Sequence, residues 1–437
     1  MGIIPNIIFV ALLGTALFFA FKNFNKIRRN ILLGKREDRT DNPATRLKNM
    51  LLVAFGQKIM FDRPIPALLH LFVYLGFLIV NIEMLEITID GIFGTHRIFA
   101  QPLGGFYTFV VNFFEYFGVT VIISCIIFLV RRNVLKLFRF NHNDLNDWPS
   151  KDANIILYVE IALMTAFLTM NAADTVLQTK GNEHYFKTGE FFFSGLITPL
   201  FSGLETGTLI FVERAAWWVH ITGVLIFLNY LPFSKHLHIM LAFPNTYFAD
   251  LKPKGEINNM PEVTKEVNLM LNLPVAETAV PEEAPGKFGA KDVNDLSWKN
   301  LLDAYTCTEC GRCTSECPAN ITGKKLSPRR IMMMTRDRAQ EVGDNIDKNG
   351  TLTDDGKSLH TYISQEELLA CTSCQACVEV CPVNINPLDI IIQMRRYKVM
   401  EESNAPASWN GLFSNIETSL APWKFPPSDR FNWSEKV

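Results

Sequence analysis

The stretch CTECGRCTSECP, at residues 307–318, decides how the second half of this chain folds, and it returns as CTSCQACVEVCP at residues 371–382. In each copy three cysteines are spaced by two residues, and a fourth follows after three more and precedes proline. Thiolates at this spacing surround a cubane 4Fe–4S cluster, and the fourth cysteine of each copy serves the cluster of the other. The sequence therefore predicts two clusters whose ligands cross between the motifs.

The crossed ligation assigns eight of the nine cysteines. The ligands predicted for the first cluster are Cys307, Cys310, Cys313 and Cys381. Those predicted for the second cluster are Cys371, Cys374, Cys377 and Cys317. The competing interpretations are zinc, which usually takes two separated pairs of ligands, and disulfides, which do not suit a reducing compartment.

Composition points to a membrane protein with a soluble part. Of 437 residues, 48% are hydrophobic and only 20% are charged, below the roughly 25% usual in soluble domains. The net charge of −2 lacks the basic excess of a nucleic-acid-binding protein. A wholly soluble enzyme and a nucleic-acid binder are therefore both disfavoured.

Five apolar stretches are long enough to cross a hydrocarbon layer of about 30 Å. They lie at residues 3–21, 65–85, 106–130, 155–177 and 215–231. The expected fold class is an all-α membrane bundle of five transmembrane helices plus a mainly α-helical ferredoxin domain with two 4Fe–4S clusters. The expected division is a membrane domain at 1–245, a linker at 246–297, the dicluster domain at 298–400 and a C-terminal tail at 401–437.

The loops between the stretches differ in their content of lysine and arginine. Residues 22–63 and 131–139 are rich in both, whereas residues 86–105 and 178–210 contain few. The positive-inside bias then places the amino terminus outside and the cysteine-rich half in the cytoplasm. We expect a protein of the bacterial cytoplasmic (inner) membrane.

Histidines lie in or beside the apolar stretches, where ionisable side chains are costly and mark function. His70 lies in the second stretch, and His220 and His238 bracket the end of the fifth. On an unbroken helix the 18 residues between the latter two make about five turns, so both imidazoles leave one face about 27 Å apart, and His236 points the other way. A kink at Pro232 would blur this phase.

Two imidazoles from facing helices can ligate a b-type haem within a bundle. Arg63 and Lys235 lie near the expected cytoplasmic boundary, where they could bind the haem propionates. The alternative for each histidine is an interhelical hydrogen bond. For the set as a whole, the sequence favours haem.

The run from Arg63 to His70, with the segment from His220 to His238, resembles the cytochrome b (gamma) subunit of respiratory nitrate reductase. It is also similar to membrane subunits of heterodisulfide reductase and of the dissimilatory sulfite reductase-associated complex. The resemblance covers roughly residues 50–245. It implies that His70 and His238 ligate a haem b near the cytoplasm.

One position departs from the pattern of that family. The family carries a second histidine ten residues after the first on the second helix, and this chain has Val80 there. His220 therefore lacks its expected partner, and a second haem stays open. The alternatives are another ligand, a five-coordinate haem or a simple hydrogen bond.

The cysteine-rich half has a resemblance of its own. The sequences SPRRI at 327–331 and CPVNI at 381–385 resemble the C subunit of heterodisulfide reductase and the helical ferredoxin domain of succinate dehydrogenase-type iron–sulfur subunits. This resemblance covers roughly residues 298–400. It implies a cytoplasmic partner, a cysteine-rich (CCG-type) iron–sulfur subunit.

Together the two halves predict a membrane electron-transfer subunit of an oxidoreductase, passing electrons between the quinone pool, haem b, two cytoplasmic clusters and the CCG-type partner. The sequence has no flavin fingerprint, molybdenum site or CCG repeat, so the substrate site is expected on a partner chain. Two alternatives are a redox-sensing or scaffold protein and a redox-driven ion-translocating subunit. The acidic residues that would serve ion movement are Glu83, Glu86, Glu115 and Asp174.

Overall fold

The computed structural model describes residues 3–182, 184–274 and 287–435. Residues 275–286 of the predicted linker lie outside this description. The helices of the first part, in chain order, are α1 Ile3–Ile31, α2 Pro43–Met50, α3 Pro64–Phe93, α4 Ala100–Leu103, α5 Gly105–Leu129, α6 Trp148–Thr179, α7 Phe192–Ile197, α8 Thr206–Tyr230, α9 His238–Tyr247 and α10 Pro261–Met270.

Among the described residues, five helices are long and apolar enough to cross a membrane: α1, α3, α5, α6 and α8. Their most apolar windows have mean hydropathies between 1.4 and 2.3. In the bundle α6 packs against α5 and α8, α3 packs against α5, and α1 packs against α3 and α8. The helices α1, α3, α6 and α8 begin before or end after the apolar stretches from which they were predicted, because further residues, some of them polar, continue the helix. The helix α5 nearly coincides with its predicted stretch.

The chain between α8 and α9 is broken into two short 3-10 turns, Leu231–Phe233 and Lys235–Leu237. Ser234 between them is extended, with ψ at 153°. Its hydroxyl donates to the Asp152 carboxylate of α6 over 2.7 Å. The break is therefore held in place by the neighbouring helix.

This break corrects the helical-phase prediction. The prediction that both imidazoles leave one face assumed an unbroken helix from His220 to His238. That assumption is wrong, because α8 ends at Tyr230 and α9 begins at His238. Pro232 lacks the N–H that a continuing helix requires, so α8 ends before it. The direction of the His238 ring is set instead by the start of α9.

The cysteine-rich half is a compact group of short helices around one long one. Its helices are α11 Trp298–Thr306, α12 Arg312–Ser315, α13 Pro318–Ile321, α14 Pro328–Asn349, α15 Leu359–Tyr362, α16 Gln365–Leu369, α17 Ala376–Glu379, α18 Pro387–Arg396 and α19 Ala407–Ser419. The predicted start of α14 is confirmed: the Ser327 hydroxyl accepts from the Arg330 N–H, and Pro328 takes the first helical position.

The hydrophobic core of this half includes residues from outside it. Ile27 and Ile31, from the last turns of α1, are buried in the same core as the α11, α14 and α18 side chains. Ala290, Val293 and Leu296 are also buried there, although the sequence assigned them to the linker. The cysteine-rich half is thus completed by the first helix and by the end of the predicted linker.

The joint between α1 and α14 is close. A Cβ added at Gly343 of α14 would overlap the Asn30 carboxamide. Asn30 is fully buried and donates to the Tyr305 hydroxyl over 3.0 Å. Lys26 pairs with Asp347 over 2.8 Å at the edge of the joint.

Candidate metal centres

Both cysteine motifs have the same backbone shape. The second and fourth residues after the first cysteine have positive φ in each copy: Glu309 (55°) and Gly311 (76°), then Ser373 (57°) and Gln375 (63°). Left-handed residues in alternation turn neighbouring N–H groups into a concave anion-binding surface. In the second copy the Ser373 N–H already points at the Cys371 sulfur, 3.4 Å away. Both loops are shaped to wrap an anionic, sulfide-rich group.

The structure brings together the four cysteines predicted for the second cluster. One small cavity is lined by Cys317, Cys371, Cys374 and Cys377. Cys317 comes from the first motif, so the fold brings one cysteine of the first motif to three of the second, as the predicted crossing requires. Cys374 is exposed, which places this site at the surface of the cysteine-rich half.

The four cysteines predicted for the first cluster are also neighbours. Burial raises the pKa of the Cys313 thiol well above its ordinary value, and nearby Cys307, Cys310 and Cys381, with Cys377 after them, raise it further. The Ile385 N–H donates to the Cys381 sulfur over 3.3 Å. The set mixes three cysteines of the first motif with one of the second.

The thiols need a metal to ionise. Burial raises the pKa of Cys307 and of Cys377 to about 12, so both are protonated at neutral pH without a cation nearby. Iron binding supplies the positive charge and displaces the protons. Within the described parts of the chain, no group of three or more potential ligands is arranged for a single metal ion. The spacing of the cysteines, three at two-residue intervals followed by Cys-Pro, is the feature that favours a multi-iron cluster over zinc.

A separate cavity of about 340 Å³ lies between the bundle and the first cysteine loop. It is walled by α3, α5, α6 and α9, and both His70 and His238 line it. Their ring centres are 6.3 Å apart, with planes inclined by 43°. Two imidazoles on opposite sides of one metal ion, each bonded at about 2.0 Å, have centres roughly 6 Å apart. At this separation His70 and His238 are the residues that would hold one iron between them.

Both imidazoles are oriented by hydrogen bonds at Nδ1. In His70 this atom lies 3.1 Å from the Gln57 side-chain oxygen, and in His238 it lies 3.0 Å from the Lys235 carbonyl. With the proton on Nδ1, Nε2 carries the free lone pair in each ring. Metal-ligating histidines are held in this way by their second nitrogen.

The other predicted haem-site residues lie in different surroundings. His236 lines the same cavity, but its Nε2 is buried with no partner among the described residues. His220 is buried in α8, where its Nδ1 lies 2.9 Å from the Leu163 carbonyl and Phe167 is its ring neighbour. The geometry thus gives His220 a hydrogen bond to α6 and does not bring it to the His70–His238 pair.

The two cations expected at the propionates are paired with protein. Arg63 pairs with Glu316 over 2.9 Å near the surface. Lys235 lines the cavity and pairs with Glu309, which lies between two cysteines of the first loop. Burial opposes ionisation of the Glu309 carboxyl, but Lys235 and Arg336 hold its pKa below the ordinary value.

Several polar residues of the cavity were not predicted from the sequence. Four arginines line it: Arg131, Arg132, Arg139 and Arg312. The first three belong to the basic loop at residues 131–139, from which the sequence predicted only the orientation of the chain. The sequence shows that the loop is basic, but it does not show that these side chains line the cavity. The Gln57 contact has no signal in the sequence, because it depends on a left-handed turn (φ 50°) before α3.

The carboxylates toward the far end of the bundle are mostly satisfied within the protein. The pairs there are Glu86 with Tyr107 (2.7 Å), Glu115 with Asn171 (3.0 Å) and Asp174 with Arg97. Glu83 is buried, and its Oε2 has no partner in the described chain. The paired groups form a structural network between α3, α5 and α6.

Comparisons with known proteins agree with the cysteine geometry. Residues 306–385 match the family model described as a 4Fe-4S dicluster domain. This match and the five long apolar helices confirm the predicted fold class. No solved structure matches this chain.

The chain is similar along most of its length to two longer proteins. It is 26% identical to the EtfAB:quinone oxidoreductase of Syntrophomonas wolfei, over 98% of this chain and 59% of that protein. It is 26% identical to the probable iron-sulfur-binding oxidoreductase FadF of Bacillus subtilis, over 93% of this chain and 57% of FadF. The chain thus spans less than two thirds of the length of each.

A third similarity covers a shorter part of the chain. Over 99 residues the chain is 32% identical to the C subunit of the ferredoxin:CoB-CoM heterodisulfide reductase of Methanosarcina mazei, which covers 22% of this chain and 48% of that protein. The relatives are thus oxidoreductases or oxidoreductase subunits by name. A fused cytochrome b domain is not part of what these similarities show.

Proposed function

We propose that this protein is a membrane electron-transfer subunit of an oxidoreductase, which carries electrons between a membrane quinone and two 4Fe–4S clusters through one haem b. The observation that supports it best is a shared wall. The cavity that contains His70 and His238 is also lined by Cys310, a proposed ligand of the first cluster. Two redox sites that share a wall are close enough for direct electron exchange.

His70 and His238 would hold the haem iron, and the lining arginines would neutralise the propionates. Bound there, the haem would supply a one-electron carrier. The chain's own contribution is to orient both rings through Nδ1, to surround the group with apolar side chains of α3, α5 and α6, and to place cations at its polar edge. With Val80 in place of a histidine and His220 bonded to a carbonyl, we propose one haem.

The two clusters continue the path away from the membrane. The first would lie against the cavity and the second beneath the exposed Cys374. We place the cysteine-rich half in the cytoplasm, with the amino terminus outside, on the lysine and arginine content of the loops. The exposed second site would exchange electrons with a soluble iron–sulfur subunit of the CCG type. The name of the Syntrophomonas relative, an EtfAB:quinone oxidoreductase, supports quinone as the membrane partner.

The decisive experiment is replacement of His70 in purified protein. His70→Ala should abolish the reduced α-band of a b-type haem, while the iron–sulfur signals persist. His360→Ala is the matched control, because this half-buried histidine of α15 lies in the cysteine-rich half and bonds the Ala290 carbonyl over 3.3 Å. A wild-type preparation without haem, or an unchanged α-band in His70→Ala, would overturn the haem assignment.

A further inference from the structure

We infer that Glu309 and Arg312, two residues of the first cysteine loop, position the two imidazoles of the haem site. Neither residue is a proposed ligand of iron. Arg312 bonds the turn that follows Gln57, and Glu309 pairs with the side chain of Lys235, the residue whose carbonyl bonds His238. The inference rests on the proposed function and adds to it a mechanical link between the first cluster and the haem.

The first link runs from Glu309 to His238. The Glu309 carboxylate pairs with the Lys235 ammonium, and both side chains are almost fully buried, 3% and 11% exposed. The carbonyl of Lys235 is the group that bonds His238 Nδ1. Arg336 holds Glu309 from the opposite side over 2.9 Å. The carbonyl that orients the His238 ring therefore belongs to a residue tied to the cysteine loop.

The second link runs from Arg312 to His70. The Arg312 guanidinium donates to the carbonyls of Ile59 (2.9 Å) and Met60 (3.3 Å). These belong to the 3-10 turn Lys58–Asp62, whose Met60 N–H donates to the Gln57 carbonyl over 2.8 Å. The side chain of Gln57 bonds His70 Nδ1. The turn that presents Gln57 is thus held by the same loop.

The two residues that form these links, Glu309 and Arg312, lie on either side of Cys310 in the loop. Glu309 precedes this cysteine directly, and Arg312 follows it by two residues. One short segment therefore contacts the first cluster site and bonds residues that carry, or adjoin, the acceptors of both imidazoles. An arrangement that served only to dock the two halves would not need to act on the Nδ1 partners of both rings.

The test compares haem geometry in three single variants. Glu309→Gln and Arg312→Gln remove the two links, and Glu366→Gln is the control, because Glu366 forms an exposed pair with Lys325 in the same half. The measurements are the g values of the low-spin ferric haem and its midpoint potential, with iron and acid-labile sulfide determined in each sample. The g values respond to the orientation of the two imidazole rings relative to each other. A change of charge at a distant residue changes that orientation little.

We expect shifted g values and a shifted haem potential in Glu309→Gln and in Arg312→Gln, and wild-type values in Glu366→Gln. Wild-type g values in both link variants, with clusters intact, would overturn the inference, as would an equal shift in the control. Absence of haem from the wild-type protein would instead refute the proposed function.

A double-mutant cycle covers the case in which the loop variants lose their cluster. Lys235→Gln leaves the loop sequence intact but breaks the first link from the membrane side, so it should shift the g values too. The double variant with Glu309→Gln should show no larger shift than either single one, since both remove the same tie. Additive shifts, or no shift in Lys235→Gln, would overturn the inference.

Discussion

Replacing Gly343 by alanine tests whether α1 and α14 are held together by close packing. A methyl group there would overlap Asn30. Alanine favours a helix over glycine by about 1 kcal/mol, but overpacking a tight contact costs about 1–3 kcal/mol. Displacing Asn30 also loses its buried bond to Tyr305, about 1 kcal/mol more. The joint should therefore be weakened by about 1–3 kcal/mol.

The matched control is Gly411→Ala in α19. No neighbouring atom lies within 4 Å of the added methyl, so this variant should stabilise its helix by about 1 kcal/mol. Amide hydrogen exchange in detergent, followed in peptides covering residues 24–31 and 338–349, measures the joint locally. A global unfolding curve would mix it with cofactor loss. Slower exchange at the joint in Gly343→Ala would refute the reasoning.

Three further outcomes can be checked. Cys371→Ser should remove about half of the acid-labile sulfide and spare the haem spectrum, whereas Cys125→Ser, buried in α5, should keep both clusters; equal sulfide in both variants would contradict the ligand assignment. Lys299→Met leaves Asp303 as an unpaired buried charge and should destabilise the cysteine-rich half by about 3–5 kcal/mol, with recovery when Asp303→Leu is added. Amide hydrogen exchange in peptides covering α11, compared between the single and double variants, decides this. Hydrogen bonds from Arg29 and Lys26 of α1 lower the pKa of Asp347 to about 2. Its contribution to the stability of the joint is therefore full above about pH 4 and is lost as the pH falls toward 2. Protection of the joint from hydrogen exchange, relative to an unfolded peptide at the same pH, that is unchanged from about pH 5 to about pH 2.5 would count against it.

The extent of the bundle was predictable because hydrocarbon thickness sets a minimum apolar length. The ends of the helices were not. The apolar stretch at residues 3–21 says nothing about the following turns of α1, whose lysines and arginines face solvent or acidic partners while Ile27 and Ile31 face a soluble core. One helix thus carries both an apolar membrane stretch and a short amphipathic segment. A hydropathy threshold detects only the apolar stretch.

The cysteine sites followed from spacing, because one tight loop dictates where three thiols lie. The histidine pair did not follow from periodicity, since the break at Ser234 removes the helix on which the phase was counted. The contacts of Gln57 and Arg312 could not be predicted for another reason. The contact of Arg312 with the Ile59 carbonyl joins residues 253 positions apart, and no local pattern encodes such a meeting.

Because the end of α1 packs in the core of the cysteine-rich half, the order in which the chain is synthesised affects when that core can form. Ile27 and Ile31 leave the ribosome long before the chain that will cover them, which includes Leu301 and Ile390. Until those residues are made, the two isoleucines at the end of α1 have no core to pack against. The core of the cysteine-rich half can therefore close only after residues as far apart in the chain as Ile27 and Ile390 have both been synthesised.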